Sequence, residues 1–199
     1  MKYPENMMEV ALLQPDYLGF IFYEKSPRYF ENNLPNLDKS IQKVGVFVNP
    51  TFEEIEEKVK QYQLDLVQLH GTESPKFCAL VEAKLIKVIK AFSMDNKFNF
   101  KYLESYQDSC SYFLFDTKGK HYGGNGTVFN WGILEHYKLD KPYFLSGGIG
   151  LENANEIKEF LKKEYAKNCI AIDLNSRFEI EPGLKNPATL KEFTQNLKL

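Results

Sequence analysis

Short apolar runs rich in β-branched and aromatic residues recur along the chain, at intervals of about 20 to 35 residues. Each run is followed by polar or glycine-containing residues and then by a segment with helical periodicity. This alternation predicts βα units whose strands form one parallel sheet. The seven predicted strand runs are Tyr17–Phe22, Val44–Val48, Leu66–Leu69, Lys87–Phe92, Tyr112–Phe115, Tyr143–Leu145 and Ile170–Leu174.

Helix start signals lie between these runs. Thr51 and Glu54 have the spacing of a capping box, in which each side chain binds the other residue's backbone N–H. Ser74 precedes a proline that suits the first turn of a helix, and Asn186 does the same. Asn153 opens another amphipathic segment. The chain is therefore predicted to alternate strands and helices to its end.

A parallel sheet buried on both faces is either an open doubly wound sheet or a closed barrel. No glycine-rich fingerprint follows the first run, which argues against a dinucleotide-binding sheet. The prediction is an α/β fold, a (β/α)8 TIM barrel formed by residues 1–199 as a single domain. Such a barrel has eight strands, whereas a helix-like segment, Pro4–Leu13, precedes the first of the seven runs. We therefore expect the first barrel strand to be missing.

Composition narrows the class of partner. The 25 basic and 27 acidic residues give a net charge of −2, so no positive field would recruit nucleic acid. The apolar runs are too short for a membrane span and no signal peptide opens the chain, so we expect no membrane partner and a cytoplasmic location. Three widely spaced cysteines suit a reducing compartment, and no metal-binding cluster is visible. A small-molecule ligand is the expected partner.

Polar residues follow the strand runs, where the carboxyl ends of parallel strands meet. In a parallel barrel this end carries the active site, because the loops that follow the strands converge there. The candidate residues are Ser26, Arg28, His70, Asp116, Ser146, Gly147, Gly148, Asn175 and Ser176.

The paired glycines Gly147 and Gly148 stand between a strand and a helix, where backbone N–H groups could approach a phosphate closely. The alternative is a flexible turn without a ligand. Arg28 lies in a loop and could bind a carboxylate through two parallel hydrogen bonds. The alternative for Arg28 is a surface or structural arginine.

Asp116 ends the apolar run YFLF, where a carboxylate is costly to bury unless it is paired or used. A partly desolvated carboxyl group can hold a proton for general acid catalysis, so Asp116 is the catalytic candidate. Its alternative role is to cap the next turn. His70 could bind substrate or satisfy a hydrogen bond at a strand end.

These residues lie in segments that resemble one enzyme family, the phosphoribosylanthranilate isomerases of tryptophan biosynthesis. The segments are GFIFYEKSPRYF, VGVFVNP, VQLHGTE, FLFDTKGKHYGGNGTVFNW, FLSGGIGLENA and AIDLNSRFEIEPGLKN, in the family's order and over nearly all of the chain. The resemblance implies a (β/α)8 barrel that isomerises N-(5-phosphoribosyl)anthranilate to 1-(2-carboxyphenylamino)-1-deoxyribulose 5-phosphate by an Amadori rearrangement. It implies no metal and no organic cofactor, and either a monomer or a homodimer.

The same resemblance assigns roles to individual residues. Asp116 would be the general acid that protonates the ribose ring oxygen. Arg28 would bind the anthranilate carboxylate, and His70 and Asp173 would lie near the substrate. The phosphate would be held by Gly147, Gly148, Asn175 and Ser176.

Three departures from the family pattern stand out. The family's first strand carries a motif like KICG whose Cys removes the C2′ proton, and this motif is absent. MKYPENMMEV resembles the residues that directly follow such a Cys-Gly pair, so we expect a truncated chain or an internal methionine taken as the start, with a naturally shortened protein as the alternative. Asn175 and Arg177 stand where the family usually has Ser and Gly, which affects phosphate binding.

The departures leave three functional hypotheses. The first is an isomerase whose activity is impaired because the base is absent. The second is a non-catalytic barrel that binds phosphosugars. The third, by fold analogy alone, is a different phosphosugar enzyme, which would be favoured if Arg28 and Asp116 failed to converge.

Overall fold

The computed structural model describes residues 1–117 and 129–197. The described residues form a sheet of seven parallel strands in chain order, β1-β2-β3-β4-β5-β6-β7. Every predicted run is a strand, and each end lies within two residues of its prediction. The strands are β1 (Tyr17–Ile21), β2 (Gln42–Phe47), β3 (Leu66–Leu69), β4 (Val88–Met94), β5 (Tyr112–Thr117), β6 (Tyr143–Leu145) and β7 (Cys169–Ile172).

The sheet is curled, with an apolar layer on its concave side. Tyr17 of β1 packs edge-on against Phe144 of β6, with ring centroids 5.0 Å apart, so strands distant in the sheet order meet across the interior. Burial of both faces explains why the strand runs are continuously apolar. The fold is the predicted α/β barrel type with seven strands, and β1 and β7 are the sheet edges among the described residues. The inner cluster contains Val44, Leu66, Ile89, Ala91, Leu114 and Phe144.

Helices cover the outer face of the sheet. They are α1 (Pro4–Ala11), α2 (Phe52–Tyr62), α3 (Pro75–Lys84), α4 (Ala154–Leu161) and α5 (Pro187–Leu197). Short 3-10 helices, Phe100–Tyr106 and Trp131–His136, follow β4 and β5. Within the described part of the chain, no helix is both long and apolar enough to span a bilayer.

The predicted helix starts are confirmed. The Thr51 hydroxyl accepts a hydrogen bond from the Glu54 backbone N–H at 3.2 Å, and the Glu54 carboxylate accepts one from the Thr51 N–H at 2.7 Å. Ser74 and Asn186 accept hydrogen bonds from backbone N–H groups in the first turns of α3 and α5. Asn153 differs, because its side chain accepts a hydrogen bond from the Gly150 N–H and so closes the 3-10 turn that precedes α4.

An antiparallel hairpin follows β7 and was not predicted. It pairs β8 (Glu179–Glu181) with β9 (Leu184–Lys185), and Gly183 in its turn has a φ of +90°. Asn6 of α1 exchanges two hydrogen bonds with the backbone of Lys185, at 2.9 and 2.7 Å. The hairpin therefore joins the first helix to the far end of the chain.

Candidate active site

His70 and Asp116 meet at the carboxyl end of the sheet. Asp116, near the end of β5, is 5% exposed, and its Oδ2 lies 3.2 Å from Nε2 of His70, the residue that follows β3. The amide nitrogen of Gln68 lies 2.8 Å from Nδ1 of His70. Because that amide donates to Nδ1, the imidazole proton of neutral His70 is on Nε2, where it faces Asp116. His70 is thus oriented by one strand residue and directed at the carboxylate of another.

Ser146 and Asp173 form a second contact at the same end. The Ser146 hydroxyl donates to Oδ2 of Asp173 at 2.8 Å, between the residues that follow β6 and β7. Burial raises the pKa of Asp173, Ser146 opposes that rise, and the carboxylate of Asp116 adds to it. The two carboxyl groups are therefore close enough to interact, and the pKa of Asp173 lies above its ordinary value.

The predicted phosphate turn has the backbone that only glycine adopts readily. Gly147 has a φ of +97° and Gly148 a φ of +66°, between β6 and the 3-10 turn that precedes α4. The backbone of Gly147 also passes close to Thr117, whose hydroxyl donates to the Gly147 carbonyl at 3.2 Å. A side chain at this position would collide with Thr117.

Replacing Gly147 with alanine is expected to lower the free energy of unfolding by about 1–3 kcal/mol. An alanine would have to adopt the positive φ of Gly147, and its Cβ would collide with Thr117. Urea denaturation measures the change. Gly19→Ala is the matched control, because its Cβ would meet only Val46 Cγ2, at 4.0 Å. The control should change stability by less than about 1 kcal/mol. Equal effects of the two variants would contradict the expected strain at Gly147.

A charged cluster surrounds Arg28. Its guanidinium binds the Glu179 carboxylate through Nε at 3.1 and 2.9 Å and through Nη2 at 2.7 Å. Lys185 binds the same carboxylate at 3.1 Å and the Asn175 side chain at 2.7 Å. Arg28 is thus a partly buried residue anchored to the hairpin. Two of its guanidinium nitrogens, Nε and Nη2, are already engaged.

Ser176 and Arg177 directly follow Asn175 of this cluster. Ser176 begins the 3-10 helix Ser176–Phe178 directly after Asn175. Arg177, which replaces the family's usual Gly, forms an exposed ion pair with Glu152. Its side chain therefore points to the turn before α4.

A buried ion pair supports the loop that carries His70. Lys90 of β4 binds the Glu73 carboxylate at 2.9 Å and the carbonyls of Leu69 and Gly71 at 3.1 and 2.8 Å. Glu73 in turn accepts hydrogen bonds from the backbone N–H groups of Asn49 and Gly71. The loop on both sides of His70 is therefore tied to β4.

The structure brings the sequence-predicted residues to one end of the sheet in two groups. One contains His70, Asp116, Ser146 and Asp173, and the other joins Arg28 to Asn175 through Glu179 and Lys185. The pKa of Asp173 responds to both Asp116 and Lys185, so the groups are electrostatic neighbours.

Sequence reasoning missed Gln68, Glu179, Lys185 and the pair of Lys90 with Glu73. The detectable signals were a lysine inside the apolar run KVIKAF and the charges that flank Pro182 and Gly183. Residues 118–128, part of one motif quoted above, lie outside the described residues. Across residues 1–117 and 129–197, no three His, Cys, Asp or Glu side chains are grouped to hold a metal ion.

Comparisons with known proteins identify the family. A family model described as N-(5'-phosphoribosyl)anthranilate (PRA) isomerase matches residues 2–196. An N-(5'-phosphoribosyl)anthranilate isomerase from Parabacteroides distasonis is 45% identical over 203 residues, covering 99% of this chain and 90% of the relative. The solved phosphoribosyl anthranilate isomerase from Thermotoga maritima is 31% identical, with a TM-score of 0.84 and coverage of 99% of this chain and 95% of that one.

A further solved phosphoribosyl anthranilate isomerase is in complex with reduced 1-(o-carboxyphenylamino)-1-deoxyribulose 5-phosphate. It is 29% identical, with a TM-score of 0.81, and the match covers 99% of this chain and 94% of that one. Because the family model spans nearly the whole sequence and a relative is 45% identical over almost all of it, this chain belongs to the N-(5'-phosphoribosyl)anthranilate isomerase family.

Proposed function

We propose that the chain isomerises N-(5'-phosphoribosyl)anthranilate to 1-(2-carboxyphenylamino)-1-deoxyribulose 5-phosphate, a step of tryptophan biosynthesis. The observation that carries the proposal is the convergence of Asp116, His70, Ser146 and Asp173 at the carboxyl ends of the strands, beside the glycine turn. A solved relative that binds the reduced form of this product adds support.

Asp116 is the proposed general acid. Protonation of the ribose ring oxygen lets its bond to C1′ break, while the anthranilate nitrogen lone pair forms the C=N bond of a Schiff base. Loss of the C2′ proton then gives the enolamine, which becomes the ketone product. The His70 Nε2–H donates to Asp116 Oδ2, so it orients the carboxyl group and stabilises the carboxylate left after proton transfer.

The two ends of the substrate are anions that need separate subsites. Gly147 and Gly148 offer backbone N–H groups for the phosphate, with Asn175 and Ser176 on the neighbouring strand end. Arg28 is the proposed partner of the anthranilate carboxylate, because a guanidinium can bind two carboxylates through two forks.

We further propose that the 199-residue polypeptide converts this substrate only slowly. The family mechanism, as the resemblance implies, needs a reactive cysteine as base. Burial raises the pKa of the thiols of Cys78, Cys110 and Cys169 to about 12, 11 and 12. Cys78 lies in α3, while Cys110 and Cys169 lie at the amino ends of β5 and β7, opposite Asp116. None of the three is placed or ionised to act as that base.

The test mixes the purified chain with freshly prepared phosphoribosylanthranilate and follows the decay of anthranilate fluorescence, while calorimetry measures binding of the reduced product. We expect slow turnover together with clear binding. The dephosphorylated ligand is the control and should bind far more weakly, because the glycine turn would lose its anion.

Binding without any turnover would favour the second candidate function, a non-catalytic phosphosugar-binding barrel. That alternative is supported by the same anion subsites and by the unreactive cysteines. Failure to bind the reduced product at all would refute both functions.

A further inference from the structure

The Arg28 guanidinium is held from one side only. It engages Glu179 through Nε and Nη2, and within residues 1–117 and 129–197 its Nη1 has no hydrogen-bond partner. A planar guanidinium presents two forks to carboxylates, one formed by Nε and Nη2 and one by Nη1 and Nη2. With the first fork occupied, the second is the one that a ligand carboxylate can bind.

Glu179 cannot easily leave that first fork. Its side chain is 4% exposed, and Oε1 also accepts hydrogen bonds from Lys185 Nζ at 3.1 Å and from the Gly183 backbone N–H at 3.1 Å. A swing away from Arg28 would leave the Lys185 ammonium, 8% exposed, without its counter-charge. Glu179 is therefore a fixed part of the hairpin and not a lid over Arg28.

The positive charge around Arg28 also exceeds the negative charge of Glu179, so a further anion can be bound. Glu179 is a single carboxylate shared by two cations, Arg28 and Lys185. Asp173 is a second carboxyl group close to Lys185; it binds Ser146, and burial raises its pKa. Although burial acts to raise the pKa of Glu179, Arg28 and Lys185 hold it below its ordinary value, so Glu179 stays ionised.

We propose that Glu179, anchored by Lys185 and Gly183, is a positioning residue that fixes the Arg28 guanidinium so that its second fork receives the carboxylate of the aromatic substrate. The inference rests on the proposed function and adds a specificity-determining residue to it. A guanidinium fixed before binding loses less side-chain entropy when the ligand arrives. Glu179 therefore contributes to affinity for the carboxylate without touching the substrate.

The test compares two ligands in Glu179→Gln, which keeps the shape of the side chain and removes its charge. One ligand is reduced 1-(2-carboxyphenylamino)-1-deoxyribulose 5-phosphate, and the other is its phenylamino analogue without the carboxyl group. Calorimetry should show that the substitution lowers the affinity for the carboxylate ligand on the order of tenfold and the affinity for the analogue less than about twofold. Glu159→Gln, which breaks an exposed pair with Lys162, is the matched control and should change neither affinity.

Other outcomes overturn the proposal. Tighter binding of the carboxylate ligand by Glu179→Gln would mean that Glu179 competes with the ligand for Arg28. Equal weakening of both ligands would mean that Glu179 only supports the fold. If the unmodified chain binds neither ligand, the proposed function fails, whereas binding of both without a selective effect of the substitution refutes this inference alone.

A measurement on the unmodified chain covers the case in which Glu179→Gln does not fold. Amide-type proton exchange at the Arg28 Nε–H is followed by nitrogen-15 NMR, with and without the reduced product. Protection of this proton in both states is expected, because Glu179 keeps its fork when the ligand binds. Loss of protection on binding would show that the ligand displaces Glu179, and the proposal would be wrong.

Discussion

Replacing Lys90 with methionine is expected to lower the free energy of unfolding by about 3–5 kcal/mol. The Lys90 and Glu73 side chains are 3% and 2% exposed, so the substitution leaves a carboxylate buried without its cation. It also removes the donor that binds the carbonyls of Leu69 and Gly71. Urea denaturation followed by circular dichroism measures the change.

Two further variants separate the buried charge from simple loss of packing. Lys162→Met removes a cation from an exposed pair and should cost less than about 1 kcal/mol. Adding Glu73→Gln to Lys90→Met should restore part of the stability, because a neutral amide costs less to bury than an unpaired carboxylate. A cost for Lys90→Met below about 1 kcal/mol would contradict the role assigned to the pair.

Asp116→Asn is expected to reduce the rate of isomerisation by about 10²–10⁴-fold, because an amide cannot act as the general acid that we propose for opening of the ribose ring. Asparagine has the same shape, and its carbonyl can still accept the hydrogen bond from His70. Binding of the reduced product should therefore change little. Single-turnover fluorescence decay at excess protein measures the rate, and calorimetry measures the affinity.

Asp108→Asn is the matched control and should leave the rate unchanged, because Asp108 is exposed and precedes the amino end of β5, whereas Asp116 lies near its carboxyl end. An unchanged rate in Asp116→Asn would assign the proton to another group, with Asp173 the next candidate because burial raises its pKa. A rate that falls together with affinity would instead indicate that Asp116 mainly shapes the binding site.

The strand positions were predictable because the local pattern determines them. β3 (Leu66–Leu69) and β6 (Tyr143–Leu145) match their predictions at both ends, since polar residues or proline flank a short apolar run. β4 extends two residues past its prediction, to Met94, because Ser93 and Met94 pair with Asp116 and Thr117 of β5. Such extensions depend on a neighbouring strand and are invisible in the local sequence.

The candidate site was predictable in position but not in its contacts. The sequence alone predicts that His70 and Asp116 lie at the same end of the sheet, because each follows or ends a strand. Their 3.2 Å contact depends on the distance between β3 and β5 in the curled sheet. Arg28 and Glu179 are separated by 151 positions, and no local pattern reports a pairing over that distance. The hairpin was missed because its strands are two and three residues long and carry charges.

The sheet order, which equals the chain order, has a consequence for synthesis on the ribosome. Each strand emerges directly after the strand it pairs with, so the sheet can grow at one edge while β1 remains the other edge. The partners of α1 and Arg28 in the hairpin, by contrast, are made after all seven strands of the sheet. At ordinary translation speeds, Glu179 is synthesised roughly 8–30 s after Arg28. The growing chain thus acquires its sheet progressively, while its proposed carboxylate subsite is completed only after the seven strands of the sheet have been made.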